Sequence, residues 1–161
     1  MLWSRRRLLA VIPLALAACG FQPVYAPGGT GSALYGQVAV SAPEAIESYY
    51  LVRHLEERLG RAGSAAYALD VAVVTATQGQ AITPANETTR YSVVGEAAYT
   101  LTRIADGAVV ASGEVENFTG YSATGSTVET LASERDARER LMAILADQIT
   151  ARLFATVSLP A

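Results

Sequence analysis

Apolar positions between residues 34 and 154 recur in two rhythms, and the switches between them mark the elements. Leu34 to Ser41 is a short strand candidate. Ser41-Ala42-Pro43-Glu44 then fits a capping box, with Ser41 as N-cap and Glu44 three residues on. The helix it predicts carries Ile46, Tyr49, Val52, Leu55 and Leu59 on one stripe, and Gly60 and Gly63 stop it. From Tyr67 to Thr77 the period drops to two, with Tyr67, Leu69, Val71 and Val73 on one face of a half-buried strand. A polar loop is expected over residues 78–89. Tyr91 to Ile104 alternates again, with Tyr91, Val93, Ala97, Tyr99 and Leu101 on one side. Asp106-Gly107 is a hairpin signal, and Ala108 to Phe118 returns as the next strand with Val109, Ala111 and Val115 inward. After a second polar loop at 119–127, Ser126 and Glu129 form another capping box, although Ser133 could cap instead. The last helix runs to about Phe154, with Leu131, Leu141, Leu145, Ile149 and Leu153 inward and a solvated charged stretch over 134–140. The order β-α-β-β-β-α predicts an α+β two-layer sandwich, a mostly antiparallel four-stranded sheet with two helices on one face and the first strand at an edge.

The chain before residue 34 follows a different rule. Arg5, Arg6 and Arg7 precede an apolar run, Leu8 to Ala18, of 11 residues broken only by Pro13. A charged start, a short apolar core and small residues at its end are the layout of a secretory signal. The run is too short to cross a bilayer, which takes about 20 apolar residues. Cys19, the single cysteine, follows it and has no partner for a disulfide. Leu16-Ala17-Ala18-Cys19 resembles the bacterial lipobox. That resemblance implies that Cys19 receives a diacylglyceryl group, becomes the mature N-terminus and is N-acylated. Several acyl chains, at about 0.8 kcal/mol per buried CH₂, would make the anchoring essentially permanent. Gly20, in place of an inner-membrane-retaining Asp, points to the outer membrane. Ser4 to Leu9 also resembles a twin-arginine signal, but general secretion is the expected route. Residues 20–33, rich in Gly and Pro, read as a tether. The expected divisions are therefore 1–18 signal peptide, 19–33 lipidated N-terminus and tether, and 34–161 folded domain.

Charge narrows the function. All 12 basic residues are Arg, against 15 acidic ones, and from Cys19 onward 9 Arg leave a net charge of −6. Such a domain is a poor candidate for nucleic acid. His54 is the single histidine and reads as a structural residue on the first helix. The sequence has no His/Cys cluster for a transition metal and no glycine-rich phosphate loop. Glu114 and Glu116 share a strand face and read as a solvated pair. The expectation is a protein that is not an enzyme and uses no cofactor.

Cys19-Gly20-Phe21-Gln22-Pro23-Val24-Tyr25 resembles the start of the lipopolysaccharide-assembly lipoprotein family, LptE, in its alphaproteobacterial form, and the β-α-β-β-β-α pattern over 34–154 is similar to that family's domain. The resemblance implies an outer-membrane lipoprotein on the periplasmic side that plugs the LptD β-barrel, helps it assemble and aids lipopolysaccharide transport to the cell surface. It also implies lipopolysaccharide binding through basic residues at a strand-and-loop end. With no Lys available, Arg90 and Arg103 are the candidates. They lie 13 residues apart on one predicted strand, so they face opposite ways about 43 Å apart and cannot share one compact site. Arg90 is favoured because the loop before it, 78–89, is long for a hairpin. The competing reading is a free-standing periplasmic lipoprotein that binds a small or lipid ligand between sheet and helices.

Overall fold

The computed structural model describes residues 23–82 and 88–157. The expected signal peptide, Cys19 and the first residues of the expected tether lie outside them. The elements are α1 (Thr30–Leu34), β1 (Val38–Val40), α2 (Ile46–Leu59), β2 (Tyr67–Ile82), β3 (Thr88–Arg103), β4 (Val109–Ser122) and α3 (Thr127–Thr156). The sheet order is β1-β2-β3-β4, and both long helices pack on one face. The α+β two-layer sandwich is therefore present. Its sheet is mixed, because β1 runs parallel to β2 while the other pairs are antiparallel.

The core lies between the layers. Leu69 of β2, Val93, Ala97 and Leu101 of β3, and Val115 of β4 are buried against Leu51, Leu55 and Leu59 of α2 and Leu141, Leu145, Ile149 and Leu153 of α3. Gly95 lets α3 come close, since a Cβ there would stand 2.9 Å from Leu141 Cδ2. The layer is filled by these side chains. The clefts formed by the described residues instead open at the sheet edge and rim.

Several sequence expectations are corrected. β1 is three residues long, and Leu34 ends α1 instead of opening the strand. The Ser41/Glu44 capping box does not form. α2 starts at Ile46, where the Ser48 hydroxyl accepts from the backbone N–H of Ala45 at 2.9 Å. Ser41 Oγ instead accepts from Val71 N–H at 3.3 Å and prolongs the β1–β2 ladder. Ile46 and Tyr49 are exposed; the buried stripe is Leu51, Val52, Leu55 and Leu59. The expected polar loop over 78–89 is largely strand, because β2 continues to Ile82 and β3 begins at Thr88. Val109 is exposed because the ladder shifts between Leu101 and Thr102 and puts it out of phase with Ala111 and Val115. Leu131 is exposed because the first turns of α3 precede its buried stretch, which starts at Ala137.

The Ser126/Glu129 capping box is formed, with Ser126 N–H donating to Glu129 Oε2 at 2.7 Å. This contact holds the Glu129 carboxyl below its ordinary pKa. The charged stretch 134–140 is more than a solvated face. Arg138, half-buried, bonds Glu134 at 2.8 Å and Glu47 of α2 at 2.9 Å, and Arg53 pairs with Glu139. At the end of the molecule where α3 finishes, Tyr25 meets Phe154 edge-on, with ring centroids 5.6 Å apart, and Gly31 N–H donates to Val24 C=O. The described residues of the expected tether are thus folded against the domain.

Candidate functional site

The two candidate arginines mark opposite ends of β3. Arg90 stands across from Ala81 of β2 and Ser122 of β4, on the face that no helix of the described residues covers. Its exposed side chain lines a cleft of about 560 Å³ together with Gln80, Ser92, Phe118, Tyr121 and Ser122. Phe118 is 65% exposed beside it. The base of this end is firm. Tyr91 and Tyr121 stack on the helix side with centroids 5.4 Å apart and planes 15° apart. Burial, and then the charge of Glu134, push the Tyr121 phenol above its ordinary pKa. Thr119 Oγ1 donates to Ala137 C=O at 2.7 Å and clamps α3 to β4. A guanidinium, an exposed ring, two hydroxyls and an amide on one rim suit an anionic group attached to an apolar body.

Arg103 has another task. Its Nη1 lies 3.0 Å from Asp106 Oδ2, and its N–H donates to Ala108 C=O. Asp106 Oδ1 in turn accepts from Ala108 N–H, and this bond, with the Arg103 charge beside it, lowers the Asp106 carboxyl. Gly107 closes the turn at φ 70°, a left-handed conformation that a side chain would disfavour. The β3–β4 connection is the five residues 104–108, longer than the two-residue turn the Asp-Gly signal predicts. Arg90 and Arg103 are not brought together.

The remaining singled-out residues fall elsewhere. Cys19 lies outside the described residues. His54 is held on α2 by Glu57, with 3.0 Å between Nδ1 and Oε2. Glu114 and Glu116 sit on the uncovered face and are joined by Glu96, which stands opposite Glu116. A hydrogen bond that the protonated Glu96 carboxyl donates to Glu114, together with that neighbour's charge, raises the Glu96 carboxyl. Among the described residues no group of acidic, His or Cys side chains is placed to hold a metal.

Phe118 is the contributor that sequence reading left unassigned. Its signal was present, since it lies three residues after inward Val115 and so must face outward.

These features define a two-layer α+β domain with one sheet face open and a basic, aromatic-edged cleft at one end. Solved structures share the fold. A Caulobacter crescentus protein assigned as a lipoprotein is 21% identical, with a TM-score of 0.66 over 80% of this chain and 95% of its own. Rare lipoprotein B from Shewanella oneidensis is 11% identical, with a TM-score of 0.58 over 74% of this chain and 93% of its own. A minor lipoprotein from Acinetobacter baumannii is 15% identical, with a TM-score of 0.55 over 78% of this chain and 98% of its own. No curated protein matches the chain. The family model for LptE, lipopolysaccharide assembly, matches residues 35–153, well over half of the chain, and the chain belongs to that family.

Proposed function

We propose that this protein is an outer-membrane lipoprotein that works in lipopolysaccharide assembly as the plug of the LptD β-barrel. In this reading Cys19 carries the lipid anchor on the periplasmic side. The domain sits in the barrel, helps it fold and aids lipopolysaccharide on its way to the surface. Family membership over residues 35–153 carries the proposal. One feature of the fold supports it: a sheet face left without a helix among the described residues, which a surrounding partner can cover.

The protein acts here by binding, with no catalytic step. Arg90 is the proposed lipopolysaccharide contact, since it is exposed in the cleft beside Phe118 and can bond phosphate or carboxylate in a fork. The premise of a long loop before it no longer supports this choice, because only residues 83–87 separate the strands. The domain is acidic, so the attraction is local and falls with salt. Arg103, engaged with Asp106, serves the turn.

The test is a pull-down of the full chain from outer membranes. LptD should co-purify with wild type, and depletion of the protein should lower the level of correctly folded barrel. Normal barrel folding and normal surface lipopolysaccharide after depletion would refute the plug. Mass spectrometry should find Cys19 acylated in the membrane fraction, and an unmodified Cys19 there would remove the anchor. For the ligand, Arg90→Ala should weaken lipopolysaccharide binding at low salt more than Arg103→Ala does.

A further inference from the structure

The edge of the sheet beside β1 is only partly closed. β1 pairs with Tyr67–Leu69 and stops at Val40, whereas β2 continues to Ile82. The chain from Ser41 curls away to α2 and leaves this edge of β2 without a paired strand among the described residues. The last bonds on this edge are Ser41 N–H to Leu69 C=O at 2.9 Å and Val71 N–H to Ser41 Oγ at 3.3 Å. In an antiparallel ladder alternate residues turn their N–H and C=O to the same side. Val73 and Thr75 therefore present theirs to this edge, as Leu69 and Val71 do. Among the described residues nothing bonds to them. A cleft of about 620 Å³ opens beside this edge, walled by the 41–48 segment, Val52 and residues 70–73 and 75, and reaches across β2 to residues 98–100 of β3.

Long open edges are normally blunted by lysines, prolines or bulges. The 71–78 stretch, VAVVTATQ, carries no charge and no proline, and its pairing with β3 is regular as far as Gly79. The rim has a definite sign. Glu44, Glu47 and Asp70 line the cleft. Glu47 is matched by Arg138, whereas Glu44 and Asp70 have no ion-pair partner among the described residues.

We propose that this edge is a docking site for an extended, Lys- or Arg-bearing segment of another polypeptide, which adds a strand to β2 at Val73–Thr75. The main-chain ladder supplies the affinity. Alternate side chains supply the specificity: apolar ones enter the cleft beside Val52 and Val73, and basic ones meet Glu44 and Asp70. The inference does not depend on the identity of the plug's partner.

The test uses the full chain in detergent and short synthetic peptides that alternate Val with Lys, Gln or Glu. Amide exchange and NMR shifts report on Val73 and Thr75. The Lys peptide should protect both amides and bind several-fold more tightly than the Glu peptide, and N-methylation along its backbone should weaken it about tenfold. Thr75→Pro, which removes one edge N–H where proline is tolerated, should weaken binding about as much. Thr75→Val, which keeps that N–H, should bind like wild type. Glu44→Gln with Asp70→Asn should erase the preference for Lys. The proposal is overturned if none of the peptides binds, if Thr75→Pro and Thr75→Val bind alike, or if the two amides are already protected in the free monomer. It is equally overturned if their protection rises with protein concentration alone, which would make the edge an interface between copies of this chain.

Discussion

On the face of β3 that meets the helices, Val93, Ala97 and Leu101 are wholly buried, and Gly95 between them admits α3. On the other face, Val94 and Glu96 alternate with them under no cover from a helix among the described residues. There Val94 stands opposite exposed Phe118, and Glu96 stands opposite Glu116. Like charges placed opposite each other on neighbouring strands destabilise a sheet, and an exposed Phe gains little from the domain's own packing. The covered face is thus shaped by contacts inside the molecule. The uncovered face holds a self-repelling row of glutamates beside a large apolar ring, neither of which the isolated domain requires. A surface of this mixed kind is what a partner-binding protein presents.

Paired substitutions on the two faces give the largest contrast. Leu145→Ala, at a fully buried position, should cost about 2–5 kcal/mol in chemical denaturation. Phe118→Ala should stay within about 0.5 kcal/mol in the isolated domain. A large loss from Phe118→Ala would mean that the open face is packed in solution. A smaller contrast follows from two glycines. Gly95→Val drives its Cβ into Leu141 and Leu145 and should cost about 1–3 kcal/mol. Gly120→Val, whose Cβ would meet only the Tyr91 carbonyl oxygen at 3.6 Å, should be nearly neutral. Equal costs would break the distinction between the faces.

The smallest effect is the most diagnostic of charge. The folded-state pKa of Glu96 is raised by Glu114 and Glu116, so its ionisation opposes folding. The relative stability of the protonated form is complete below the unfolded pKa and is lost as pH rises through the folded one. Glu96→Gln should therefore raise the melting temperature at pH 7, and the gain should vanish once the pH falls below the ordinary glutamate range. A gain that does not change with pH would assign the effect to packing.

What was legible in the sequence was what neighbouring residues decide among themselves. Ser126 and Glu129 cap α3 because both partners lie within one turn. Ser41 and Glu44 have the same spacing and fail, because the N–H of Val71, 30 residues on, takes the Ser41 hydroxyl. Alternation gave the inward face of β3 correctly and lost Val109 where the ladder slips, since a register shift leaves no mark on composition. The polar run Gln78-Gly79-Gln80 reads as loop, yet it is strand because Tyr91 and Ser92 pair with it. Arg90 was visible as a residue, but its cleft was not, because Gln80, Ser92 and Ser122 meet only once three strands are in register. The free edge of β2 was hidden for a related reason: it depends on where β1 stops.

The contact between Tyr25 and Phe154 fixes where a membrane would have to be. Four peptide bonds separate Cys19 from Pro23, a reach of about 14 Å when fully drawn out. An acyl chain on Cys19 would therefore hold the Phe154 pole of the protein close to the lipid headgroups, with little slack. Arg90 belongs to the opposite pole, removed by the length of β3, about 43 Å at 3.3 Å per residue. Mooring and cleft would thus sit at the two poles of one rigid body, and lengthening the leash would change the depth at which the cleft works while leaving its shape alone.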